Sequence, residues 1–391
     1  MIAQLGKKFN EKEEIIMKHT IFTPYRVCPL GAHVDHQLGQ VTGFAIDRGV
    51  ELEFDITEDG TFDLISKNYP GHIMFTLEDE LEREMLWGDF LKAAIVALSR
   101  KYELRRGIKG VIEGTLPVGG LSSSAAVILT YLNAVCIAND IQITRPEIIS
   151  NAIWAERNYI GVNVGKLDQS CEVYCRKNGL LFLDTLDDSN EIIPVSSNMN
   201  PFEIMIVFGG KERQLAGSAY NTRVDECKAA AYALQAYAGM DYGNYKDTYL
   251  RNVPIGVYLQ YKDRLPENWR KRAEHFYGER QRVKDGIKAW KKGDIEEFGQ
   301  LMFQSRRSSI ELYETGSDNL RDLQDIFENT DGIYGGRFSG AGFNGSSIAL
   351  INPDKKEEIA DKVRKEYIKR HPNLEKDFAI YFVNTADGIK L

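Results

Sequence analysis

Residues 115–126, TLPVGGLSSSAA, pack two glycines and three serines between the apolar pattern GIKGVIEG and a long apolar run that starts near Ser123. Small residues in such a turn let backbone N–H groups point inward, and the helix that follows contributes partial positive charge from its N-terminus, so the element suits an anion such as a phosphate. The serine hydroxyls are also hard oxygen ligands of the kind magnesium takes. This is not the G-x-x-x-x-G-K-[ST] loop, because no lysine follows the glycines. Taken alone, the same residues equally describe a serine-capped helix.

Working outward, residues 21–31 (IFTPYRVCPLG), 41–56 (VTGFAIDRGVELEFDI) and 61–66 (TFDLIS) read as strands of an N-terminal sheet. Residues 87–102 place Phe90, Ala93, Ala94, Ala97 and Leu98 at helical spacing. A further helix covers 145–161, opened by Thr144 as cap with Pro146 close behind. The character changes after the polar stretch 186–202, which predicts two domains, 1–198 and 199–391, as a chain of 391 residues also suggests. The second half begins with the strand EIMIVF (203–208), continues through long helical segments at 221–239 and 279–309, and ends with GGRFSGAGFNGSSIALI (335–351) and DFAIYFVN (377–384). The fold class is therefore α+β.

A net charge of -8 sets like charge against nucleic-acid phosphates and acidic membranes, so neither is an expected partner. The five cysteines, Cys28, Cys136, Cys171, Cys175 and Cys227, form no C-x-x-C pair and read as free thiols rather than a metal site. The N-terminal twenty residues are charged throughout and lack a signal-peptide core, and no run approaches the ~20 apolar residues of a membrane span. A cytoplasmic monomer is expected.

Four segments in order resemble the signatures of the GHMP kinases, the superfamily of galactokinase, homoserine kinase, mevalonate kinase and phosphomevalonate kinase. They are RVCPLGAHVDHQLG (26–39), LPVGGLSSSAA (116–126), GKLDQS (165–170) and GGRFSGAGFNGSSIAL (335–350). The resemblance implies a two-domain fold with a cleft between the halves, ATP and Mg2+ as cofactors, and a small-molecule acceptor. Phosphoryl transfer needs positioning and charge neutralisation more than covalent help. The resemblance puts Gly119, Gly120, Leu121, Ser122, Ser123 and Ser124 around the ATP phosphates, and Ser124 with Glu156 on the magnesium. It makes Asp168 the acceptor of the attacking hydroxyl's proton and Arg26 its cationic neighbour. Gly340, Ala341 and Gly342 would approach the nucleotide or support the loop. Trp87 would border adenine or else belong to the core. His33, Asp35 and Tyr220 would line the sugar pocket, with Arg223 as a support or as an ordinary helix start. The phosphate loop is a residue shorter than the usual galactokinase form.

Ala32 decides the sugar. Galactokinases have glutamate there, accepting from the primary hydroxyl at carbon 6, whereas CPLGAHVDHQ is more similar to the galacturonokinases. A glutamate facing a carbon-6 carboxylate would cost about 1 to 4 kcal/mol at 4 Å, depending on the dielectric. Alanine removes that repulsion. A uronate still wants a cation, and Arg213 and Lys166 are the candidates. The expected activity is galacturonate 1-kinase, with galactokinase as the alternative and a non-catalytic sugar sensor on the same fold as a third possibility. The retained GLSSSAA, Glu156 and Asp168 favour an enzyme.

Overall fold

The computed structural model describes residues 18–116, 121–211, 217–241 and 243–391. The first half is built from β1 (His19–Val27), β2 (Gln40–Thr57), β3 (Thr61–Ser66), β4 (His72–Thr76), β5 (Gly107–Gly114), β6 (Gly179–Asp184) and β7 (Asn190–Pro194). Its helices are α1 (Asp89–Ser99), α2 (Ser123–Ala138), α3 (Arg145–Trp154) and α4 (Leu167–Tyr174). The long β2 is the spine of the sheet, pairing antiparallel with β1, β5 and β6 along different parts of its length. The strands run β4-β3-β5-β2-β6-β7, and among the described residues only β3 and β5 pair in parallel.

Helix α2 is apolar nearly all round. Leu129, Leu132 and Val135 are fully buried, as is Tyr131, because the helix is packed between the sheet and the flanking α1 and α3. Truncating one such leucine to alanine costs about 2 to 5 kcal/mol. Helix α3 starts with the predicted cap: the Thr144 hydroxyl accepts from the Glu147 backbone N–H while the Glu147 carboxylate accepts from that of Thr144. It then widens into a π-helical turn over Ala155–Ile160, a feature that often marks functional sites.

The second half carries a four-stranded antiparallel sheet in the order β11-β8-β10-β9, with β8 (Glu203–Gly209), β9 (Ile333–Phe338), β10 (Ser346–Ile351) and β11 (Phe378–Val383). Its helices are α5 (Gly217–Tyr237), α6 (Ile255–Tyr261), α7 (Glu267–Lys292), α8 (Ile295–Glu311), α9 (Asp318–Glu328) and α10 (Lys356–Arg370). The helical run 279–309 is two elements, because Gly293 ends α7 in a left-handed conformation and the Asp294 side chain caps α8. The passage between the sheets falls between Pro194 and Glu203. The chain end returns: β12 (Thr385–Ala386) pairs with β2, and Ile389 joins the core around α2. That core also takes in Ile204 and Ile206 of β8 and Trp290 of α7, so apolar packing is continuous from one sheet to the other. All five cysteines are buried and free. Among the described residues no helix is long and apolar enough to cross a membrane.

Candidate active site

Arg26 and Asp168, separated by 142 positions, meet where the end of β1 faces the first turn of α4. Arg26 Nε donates to Asp168 Oδ1 at 2.8 Å, and Nη1 donates to Ser339 Oγ at 3.3 Å. The β1–β2 register shifts between Pro24 and Arg26, the kind of irregularity that re-aims a side chain next to a site. The Arg26 backbone N–H also donates to the Leu121 carbonyl, tying the strand to the turn before α2. Arg26 is 4% exposed. Burial opposes its charge, but the Asp168 carboxylate and their hydrogen bond hold its pKa above the ordinary arginine value.

Asp35 joins this pair from the short turn Asp35–Gln37, its Oδ2 accepting from the Leu167 N–H at 3.2 Å. A Cβ at residue 165 would sit 1.9 Å from that oxygen, so only glycine lets the carboxylate approach α4. Burial, and then the charge of Asp168, raise the Asp35 pKa. His33 has a φ of 59° and stacks on Tyr313 at 4.5 Å with planes 6° apart, while its Nε2 has no hydrogen-bond partner among the described residues. Burial and the nearby Arg337 keep this imidazole neutral by pushing its pKa well below 6.5. Tyr220 and Ala32 line the same cleft. The Ala32 N–H donates to Glu279 Oε1 at 3.3 Å, and its carbonyl lies 2.9 Å from His275 Nε2.

At the other end Ser122 is left-handed (φ 65°), lines the cleft, and precedes the first residue of α2, Ser123. Ser124 Oγ donates to Glu156 Oε1 at 2.9 Å, and the Gln169 amide donates to the other oxygen. Glu156 is 4% exposed and lies in the π-helical turn, so it is not a solvated helix charge. Among the described residues no group of three or more His, Cys, Asp or Glu is placed to hold a metal. The Ser124–Glu156 oxygen pair instead fits magnesium, which characteristically takes one or two protein ligands and completes its shell with phosphates and water. Gly119 and Gly120 lie outside the described residues.

The remaining expected positions divide. Gly340 and Ala341 line the cleft. Gly342 does not: its φ is 80° and a Cβ there would be 2.5 Å from the Phe338 ring, so it is needed for packing. Leu121 is buried in the core, its carbonyl accepting from the Arg26 N–H. Trp87 packs against the main core and its indole donates to the Pro70 carbonyl at 3.2 Å, away from the cleft lining. Lys166 is not among the residues lining the cleft, and its ammonium is 2.5 Å from Asp188 Oδ1. Arg213 lies outside the described residues. Arg223 pairs with Glu226 at 3.2 Å. Sequence reasoning passed over Arg337 and Ser339, which lie inside the quoted motif 335–350 but whose placement, Arg337 on β9 and Ser339 just after it, only the sheet reveals. His275 and Glu279 on α7, and Tyr313 just after α8, carry no local signal.

Residues 89–176 match the model of the GHMP kinases N terminal domain, and 287–369 that of the GHMP kinases C terminal region. Galacturonokinase of Arabidopsis thaliana is 36% identical over 411 aligned residues, covering 100% of this chain and 93% of that protein. Galactokinase of Thermosipho africanus is 30% identical, covering 94% of this chain and 97% of that one. Among solved structures, Lactococcus lactis galactokinase complexed with galactose superposes with a TM-score of 0.86 at 29% identity, over 95% of this chain and 94% of its own. The chain belongs to the GHMP kinases. Within them it is galactokinase-like, an ATP-dependent sugar kinase.

Proposed function

We propose that this kinase phosphorylates the anomeric hydroxyl of D-galacturonate, the γ-phosphoryl group of ATP passing to that oxygen to give galacturonate 1-phosphate and ADP. The observation that carries the reading is Ala32, a methyl group on the cleft wall beside His33 where a galactokinase would present a carboxylate. The full-length similarity to the plant galacturonokinase supports it.

The residues take the following roles in this reading. Asp168 accepts the proton of the attacking hydroxyl or orients it, and Arg26 stabilises the developing charge on that oxygen while keeping Asp168 ionised. Asp35 and the neutral His33 bond ring hydroxyls, and Tyr220 closes the pocket. The turn 119–124 and the start of α2 hold the ATP phosphates, with Gly340 facing them. Ser124 and Glu156 would hold Mg2+, which neutralises phosphate charge when bound. A division near residue 198 makes the cleft the meeting of two domains: Arg26, Asp35 and Asp168 come from the first, Tyr220 and Ser339 from the second.

The test is ADP release with galacturonate, glucuronate, galactose, mevalonate and homoserine at equal concentration. The highest kcat/KM is expected for galacturonate. A preference for galactose would replace this reading by galactokinase, which the likeness to the Lactococcus lactis enzyme favours, and no sugar-dependent ADP release would leave a sensor.

A further inference from the structure

A carboxylate that leaves water for a cleft is costly unless a cation meets it. Arg337 is a buried cation without a matching anion. It is 2% exposed on β9, yet it lines the cleft together with Ala32 and His33. Its guanidinium donates to Ser305 Oγ at 2.6 Å, to Ser309 Oγ at 3.5 Å and through Nε to the Phe338 carbonyl at 3.1 Å. All three partners are neutral, and among the described residues no carboxylate forms an ion pair with Arg337. The carboxylate whose charge acts on it is Glu279, reached through the Ser305 hydroxyl and itself paired with Arg282 at 2.6 Å. Two guanidinium groups therefore share one carboxylate, and burial keeps the adjacent His275 neutral, with a pKa of about 4. The group formed by Arg337, Arg282 and Glu279 behind Ala32 therefore carries one positive charge in excess.

That charge is tied to Ala32. Arg337 Nη1 donates to Ser305 Oγ, Ser305 donates to Glu279 Oε1 at 2.6 Å, and the same Oε1 accepts from the Ala32 N–H at 3.3 Å. Three hydrogen bonds thus connect the guanidinium to the residue whose side chain is missing an acid. We propose that Arg337 is the specificity-determining residue that reads the carbon-6 carboxylate of the sugar, and that the small Ala32 leaves room for the two to meet. The inference rests on the galacturonate reading. It replaces Lys166, whose charge Asp188 already takes.

The test compares wild type, Arg337→Gln and Arg337→Lys with galacturonate and galactose, each variant first checked by thermal melting. A hydrogen bond to a charged group is worth about 1.5 to 3 kcal/mol, so Arg337→Gln should raise KM for galacturonate by about 10 to 150-fold relative to galactose. Arg337→Lys should recover part of that loss, which a purely structural arginine would not do selectively. An unchanged ratio of the two KM values in Arg337→Gln overturns the inference while the galacturonate reading stands. Wild type inactive on galacturonate overturns that reading, and the inference with it. A measurement on wild type alone covers the case in which the variants do not fold: galacturonamide, similar in size but uncharged, should have a KM at least about 10-fold above galacturonate, and equal values refute a cation at carbon 6.

Discussion

Replacing Ala32 by glutamate introduces a carboxylate at a position 6% exposed, whose backbone N–H already bonds Glu279. Against a carbon-6 carboxylate about 4 Å away, the repulsion is about 1 kcal/mol at the dielectric of water and about 4 kcal/mol at an effective dielectric of 20. Ala32 is buried but faces an open cleft, which places the effect between these limits, at about 2 to 3 kcal/mol, or about 30 to 150-fold in kcat/KM. Galactose offers a hydroxyl donor at the same carbon and should be spared or improved. The assay is coupled ADP release with both sugars, and the quantity that matters is the ratio of the two kcat/KM values. Thermal melting is the necessary control, since Glu279 lies close enough to repel the new carboxylate and lower stability. A stable Ala32→Glu enzyme that loses both activities by one factor would refute the assignment of Ala32 to carbon 6.

The other expectations concern the reacting end and the fold. Asp168→Asn should lower kcat by about 10²- to 10⁴-fold with a smaller change in sugar KM, and near-normal turnover would remove it from the mechanism. Glu156→Gln should raise the magnesium concentration needed for half-maximal rate, with Ser124→Ala acting in the same direction; an unchanged titration would confine the pair to a structural role. Gly165→Ala should raise sugar KM, because the new methyl group would overlap Asp35 Oδ2 and push the carboxylate aside; unaltered KM would exclude Asp35 as a sugar ligand. Acid should destabilise the fold below pH 6.5. Burial holds His275 at about 4 and His36 at about 3, so in that window the unfolded chain binds protons the folded one refuses, and stability falls by about 1.4 kcal/mol per pH unit for each histidine. A melting temperature constant from pH 6.5 to 4 would contradict this.

The sequence by itself determined the elements whose chemistry is local. The start of α2, the Thr144 cap, the strands around Arg26 and the order of the family motifs are all encoded in neighbouring residues, since serine and apolar periodicity act over a few positions. It also singled out Ala32, on which the proposed choice of sugar rests. It could not say which cation answers a uronate. Lys166 lies two residues from Asp168 in the chain, but it precedes the first turn of α4 on the side facing Asp188, and proximity in sequence did not become proximity in the cleft. Arg337, 305 residues from Ala32, reaches it only because β9 packs beside α8 and places Ser305 and Glu279 between them. The same holds for Glu156, which reads as a surface charge along α3 until the π-helical turn rotates it onto Ser124 and Gln169. Burial and charge pairing depend on which distant segments meet, and that is decided by the packing of the two sheets rather than by any local run of residues.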